Sequence, residues 1–218
     1  MLTPTSGEPS DLVGVEGTDF AASTSVGIGF GPEVDVIDEI PTVKDNEADP
    51  RIINGSTANH PIKPGSFNWD FSLGALSVSC SDNGDGTLSS TAGEEMTGTI
   101  NYTTGFFTIT STVFTGFTDE DHTIDYTTYE FDVTPSGLAT NGSGMLSGEF
   151  TVPAIWNETH TVTVVDEEGN IATSDFDVYG SDVVPEPLTM GAIVLLSSAA
   201  LVVSFYCLRK RSYTKNIA

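Results

Sequence analysis

Asp82-Asn83-Gly84-Asp85-Gly86 puts three side-chain oxygen donors and two glycines into five residues, the composition of a loop that binds calcium. Hard divalent cations take carboxylate and amide oxygens, and glycine lets the backbone turn sharply around them. Asp82, Asn83 and Asp85 are the candidate ligands. In the EF-hand frame, however, Ser81 occupies the first position and Ala92 the twelfth, where Asp and Glu belong. Asn-Gly and Asp-Gly are also favoured hairpin-turn dipeptides, so a plain turn explains the same residues. Asp119-Glu120-Asp121 is the next acidic loop in line. Calcium at one of these loops is the single cofactor considered.

Other chemistry is thinly represented. His60, His122 and His160 are scattered, with no pair at ligand spacing, and are expected on the surface or in turns. Neither a Gly-x-Ser-x-Gly elbow nor a Gly-rich phosphate loop occurs. Nothing marks one carboxylate pair among 31 acidic residues for glycoside hydrolysis. No catalytic residue is assigned, and the chain is expected not to be an enzyme. Cys80 is expected to be a small buried residue. Cys207 lies in a different segment, so no disulfide between them is expected.

The elements holding these residues read as strands. Phe67, Trp69, Phe71 and Leu73 alternate with polar residues, and the alternation resumes with shifted parity at Leu76, Val78 and Cys80, as a bulge or bend at Gly74 would produce. Further β-rich runs cover Thr97 to Tyr102, Phe106 to Phe114, Thr123 to Val133 and Met145 to Val152. In the last hairpin Val162 and Val164 alternate with threonines, a turn follows at Asp166-Glu167-Glu168-Gly169-Asn170, and Ala172, Phe176 and Val178 share a face. The spacing predicts an all-β, antiparallel sandwich or barrel over residues 61–182. Residues 1–60, rich in Gly, Ser, Thr, Pro and acid, read as an acidic linker or the remnant of a preceding unit. The last hairpin, with Phe150-Thr151-Val152-Pro153 before it, resembles the closing strands of prokaryotic immunoglobulin-like surface domains. That resemblance implies an immunoglobulin-like β-sandwich.

Charge divides the chain sharply. Up to Pro187 only Lys44, Arg51 and Lys63 oppose all 31 acids, for −28, whereas the remainder carries four basic residues and no acid. Such acidity disfavours nucleic acid and anionic lipid as partners. Residues 183–218 form a tail of a different kind. Val184-Pro185-Glu186-Pro187 is followed by an uncharged apolar run over 188–208 and by Arg209-Lys210-Arg211. As a helix those 21 residues span about 31 Å, which matches the hydrocarbon core of a bilayer. Basic residues stay on the cytoplasmic side, so the predicted topology is a single C-terminal transmembrane helix with its C-terminus inside and the acidic body outside. The two prolines keep the triplet extended and outside the helix.

Triplet, span and basic cluster, in this order, resemble the PEP-CTERM sorting tail of bacterial surface proteins. In that family an exosortase, a membrane-embedded protease-transpeptidase, cuts near the triplet and releases or re-anchors the exterior part. The resemblance implies Val184, Pro185, Glu186 and Pro187 as the processing motif and Arg209, Lys210 and Arg211 as the topology signal. Implied partners are exosortase and the membrane, with extracellular polysaccharide a further candidate. Such proteins normally begin with a secretory signal peptide, whereas this chain begins MLTPTSGEPSDLVG, so a lost N-terminal segment is expected. The expected role is a noncatalytic surface or matrix protein whose β-domain acts as spacer, adhesin or polysaccharide-matrix component. The alternative is a tail-anchored surface enzyme or a calcium-dependent binding module.

Overall fold

A computed structural model describes residues 1–45, 50–73, 76–90, 96–111 and 122–180. The chain divides into two units, Met1–Gly180 and Ser181–Ala218. The triplet, the apolar run, the basic cluster and Cys207 all fall in the second unit, outside the described residues. Among the described residues no helix is long and apolar enough to cross a membrane.

The first unit is all-β, with fifteen strands among the described residues. They begin with β1 (Leu2–Thr3), β2 (Ser6–Gly7), β3 (Leu12–Gly17), β4 (Val26–Glu39), β5 (Lys44–Asp45) and β6 (Arg51–Ser56). A meander follows through β7 (Asn68–Leu73), β8 (Leu76–Asp82), β9 (Thr87–Ser90), β10 (Met96–Ile100) and β11 (Phe106–Ser111). The chain closes with β12 (His122–Asp132), β13 (Leu146–Thr151), β14 (Thr159–Asp166) and β15 (Ile171–Val178). One sheet has the order β1-β3-β13, and the other β2-β15-β14-β4-β12-β7-β8-β9-β10-β11-β6-β5. All pairings are antiparallel except β2 beside β15.

Alternation along these strands fills two cores. The first joins the two sheets face to face. Val13, Val15, Leu146 and Phe150 of the smaller sheet meet Ile28, Phe30, Val162, Val164, Phe176 and Val178 of the larger. Phe30 lies at its centre, 6.1 Å from the Phe150 ring and 6.0 Å from that of Phe176. The second core gathers Phe67, just before β7, with Trp69, Phe71, Val78, Cys80, Phe107, Ile109, Ile124 and Tyr126 from β7, β8, β11 and β12. Burying each such aromatic or branched side chain contributes about 1.5 to 3 kcal/mol. Strands β4 and β12 serve both cores. Val26, Ile28 and Phe30 point into the first while Val36 packs on the second, and Ile124 and Tyr126 belong to the second while Phe131 packs on the first. Their ladder is interrupted twice, where two residues of β4 oppose one of β12, and the positive φ of Gly31 and Asp38 marks those places.

Residues 1–60 are therefore not a linker, and this corrects the expectation. They supply β1 to β6, and Val13, Val15, Val26, Ile28 and Phe30 are buried. Their glycines make room for rings: the Tyr129 ring occupies the space a Cβ of Gly29 would need, and the Phe107 ring does the same at Gly55. The run from Phe67 to Cys80 is likewise two strands rather than one bent strand, because β7 and β8 pair antiparallel with Leu73 opposite Leu76. Gly74 itself lies outside the described residues. The other predicted runs correspond to β10 to β15.

Candidate functional site

Asp82 ends β8, and its carboxylate folds onto the turn that follows. Oδ1 accepts the Gly84 N–H at 2.8 Å and the Tyr102 hydroxyl at 2.6 Å, while Oδ2 accepts the Gly65 N–H at 2.6 Å. The Tyr102 oxygen in turn accepts the Gly86 N–H at 2.9 Å. Burial first, then the bond to Asp82, pushes this phenol far above its ordinary range. Asn83 Nδ2 donates to Thr87 Oγ1 at 2.9 Å, and its Oδ1 accepts the Ser89 hydroxyl at 2.9 Å. Asp85 Oδ1 accepts the hydroxyl and N–H of Thr87 at 2.5 and 3.0 Å, and the hydroxyl bond leads in holding its carboxyl below the usual range. Gly84 and Gly86 have φ of +86° and +81°, which any side chain would strain.

All three candidate calcium ligands thus hold the β8–β9 turn with their own oxygens. Among the described residues no group of three or more His, Cys, Asp or Glu is arranged to hold a metal ion. Asp119-Glu120-Asp121 lies outside the described residues.

A second acidic turn meets the first. Asp166, wholly buried, accepts the Ala21 N–H at 2.7 Å, the Glu168 and Asn170 N–H groups at 3.0 and 2.9 Å, and the Asn170 side-chain amide at 2.8 Å. Gly169, at φ +88°, lies against the carbonyl of Gly84, and a Cβ there would collide with that oxygen and stand 3.0 Å from the Tyr102 ring. Asp82 therefore braces the second core, Asp166 the first, and their turns touch backbone to backbone. In the sequence each is an ordinary hairpin turn, and nothing links the two.

A third carboxylate is electrostatically strained. Burial, then the negative charges of Asp125 and Asp38, hold the Asp70 carboxyl above its ordinary range, against the opposing pull of the Asn68 amide. A raised folded value means that its contribution to stability is full below the unfolded value and is lost as pH rises through the folded one. At neutral pH the ionised Asp70 opposes folding. We expect Asp70→Asn to raise the melting temperature at pH 7 and to give no gain below about pH 3.5, beneath the ordinary Asp value of ~3.9. An equal gain at both pH values would point to packing instead of charge.

Two of the histidines depart from expectation, because His122 and His160 are buried. The His122 ring lies 5.4 Å from Trp69 and 5.5 Å from Phe71, and that of His160 lies 5.5 Å from Phe30, with Nε2 donating to the Trp156 carbonyl at 2.9 Å. His60 is half-exposed, with Nδ1 2.8 Å from Asp132. Cys80 is buried as expected, and desolvation pushes its thiol up to about 11, leaving a neutral apolar group.

Neither Lys nor Arg occurs between Met1 and Val43 or between His122 and Gly180, the stretches that build the first core. Such one-signed charge is self-repelling, and salt screens it. For the full-length chain, the melting temperature should climb with NaCl. Millimolar CaCl₂ at matched ionic strength should add little. A saturable calcium-induced rise in high salt, abolished by replacing Asp82 and Asp85, would overturn this and show a real site by mass action.

No protein-family model matches the chain, and no curated protein or solved structure matches it either.

Proposed function

We propose that the chain is an exported, noncatalytic surface or extracellular-matrix protein whose C-terminal tail is a sorting signal for an exosortase. One observation carries this reading: the Pro185-Glu186-Pro187 triplet, the uncharged run over 188–208 and the cluster Arg209-Lys210-Arg211 occur in that order, after a body of opposite charge. The basic cluster after the run is retained on the cytoplasmic side, which leaves the preceding body outside.

The exterior part is, in this reading, an immunoglobulin-like sandwich whose larger sheet is extended by inserted strands. The order β1-β3-β13 facing β2-β15-β14-β4, and the parallel seating of β2 on β15, support it. Strands β5 to β11 are inserted in sequence between β4 and β12, and their side chains form most of the second core. A body braced at its two acidic turns suits a spacer or adhesive module in a polysaccharide matrix.

The test is processing. Expressed behind a signal peptide in a host with an exosortase, the exterior product should have the mass of a chain cut near the triplet. Replacing both Pro185 and Pro187 with Ala should leave the tail intact. An uncut tail in the unsubstituted protein, or cutting that ignores both substitutions, would refute the sorting role.

A further inference from the structure

We propose that the side of the first core along β15 accepts an extended peptide strand from a partner, apolar on one face and basic on the other. The inference goes beyond the sorting role and does not depend on the tail.

The first observation is an unfinished edge. Asp177 donates its N–H to the Thr5 carbonyl at 3.1 Å and Tyr179 to the Gly7 carbonyl at 3.0 Å, so the odd-numbered residues of β15 turn their backbone groups toward β2. Register pairing with β2 covers only Asp177 and Val178. By the same parity the N–H and C=O groups of Ile171, Thr173 and Asp175 face that edge, where no strand among the described residues continues β2. The Asp175 carbonyl is met only by the neighbouring Ser174 hydroxyl, at 3.5 Å.

The second observation is a gap behind the edge. Phe176 and Val178 point inward and are buried, but the next inward positions along β15 are Ser174, half-buried, and Ala172, exposed. Their small side chains leave a cavity of about 90 Å³ between the sheets, lined by Leu2, Val15, Phe20, Leu146, Val162 and Val164. At roughly 30 Å³ per water this equals about three waters, the room one aliphatic side chain needs. Those six apolar side chains offer a methyl-bearing side chain many contacts, while Met1, Glu16, Thr18, Thr173 and Ser174 also line the cavity.

An added strand satisfies both features together. Its backbone would pair with the free groups of β15, and one inward side chain would enter the cavity while its neighbours point to solvent. Charge selects the occupant. Glu16 borders the cavity, Asp175 and Asp177 lie along the edge, and the surrounding stretches contain no Lys or Arg. A second copy would bring the same negative charge, whereas a strand with basic outward residues is attracted.

The test uses the full-length chain in zwitterionic nanodiscs and three blocked heptapeptides, KVKVKIK, EVEVEIE and KGKGKGK. KVKVKIK should bind saturably at 150 mM salt and slow amide exchange at Ile171, Thr173 and Asp175. EVEVEIE, which lacks the charge match, and KGKGKGK, which lacks the side chain, should each bind at least tenfold more weakly. Ser174→Leu, which fills the cavity from within, should cut KVKVKIK binding at least tenfold, and Thr173→Pro, which removes an edge donor, should do the same. Equal binding of all three peptides, no protection along β15, or binding indifferent to Ser174→Leu would overturn the proposal. So would self-association of the free chain that Ser174→Leu abolishes, because a second copy would then be the occupant.

Discussion

Replacing Phe176 with Ala should lower the melting temperature of the Met1–Gly180 unit by about 10 °C, among the largest effects expected of any single substitution here. The ring is fully buried, stands 6.0 Å from Phe30 and 6.5 Å from Phe150, and so touches both sheets at once. Truncating a phenylalanine in such a place removes transfer energy and leaves a cavity, together about 3 to 5 kcal/mol. For a unit of this size each kcal/mol moves the midpoint by about 2 to 4 °C. Thermal melts followed by far-UV circular dichroism measure it, and a loss below 1 kcal/mol would mean that the two sheets do not share the packing described.

Asp166→Ala should cost on the order of 3 kcal/mol for a different reason. The Ala21, Glu168 and Asn170 N–H groups and the Asn170 amide all lose their acceptor. Solvent can reach Asn170 and recover part of the loss, while the half-buried Ala21 amide is harder to satisfy. Asp166→Asn should fall between, since one of its two oxygens becomes a donor. Hydrogen exchange should quicken at Gly84 and Gly86 as well, because the Asp166 turn is what lies against them. An unchanged melting midpoint in Asp166→Ala would remove the turn contact as a brace.

The sequence was most readable where strands carry β-branched and aromatic residues in strict alternation. β12, β14 and β15 stood out because Ile124 and Tyr126, Val162 and Val164, and Phe176 and Val178 each mark one face. The lead reads as linker because its strands alternate apolar residues with glycine, as in Val13-Gly14-Val15 and Val26-Gly27-Ile28-Gly29-Phe30. Composition alone makes these look like linker. Glycine serves there as space for a neighbour's side chain, Tyr129 at Gly29 and Pro61 at Gly27, and the neighbour belongs to another part of the chain. Burial of His122 and His160 was hidden for a similar reason, since the aromatic residues that shelter them come from β7 and β4. At the candidate site the turn dipeptides were legible, but the identity of each carboxylate's partner was not. Asp82 bonds to Gly65 and Tyr102, and Asp166 to Ala21, none of them a sequence neighbour.

The parallel seating of β2 on β15 has a mechanical meaning. Two parallel neighbours drawn apart by their opposite ends are loaded lengthwise, so the bonds from Asp177 to Thr5 and from Tyr179 to Gly7 share the tension and must break together. An antiparallel pair pulled from one end would peel open one bond at a time. A body tugged through its Gly180 end against a load on its first residues meets that force in shear, the orientation in which a short ladder resists best.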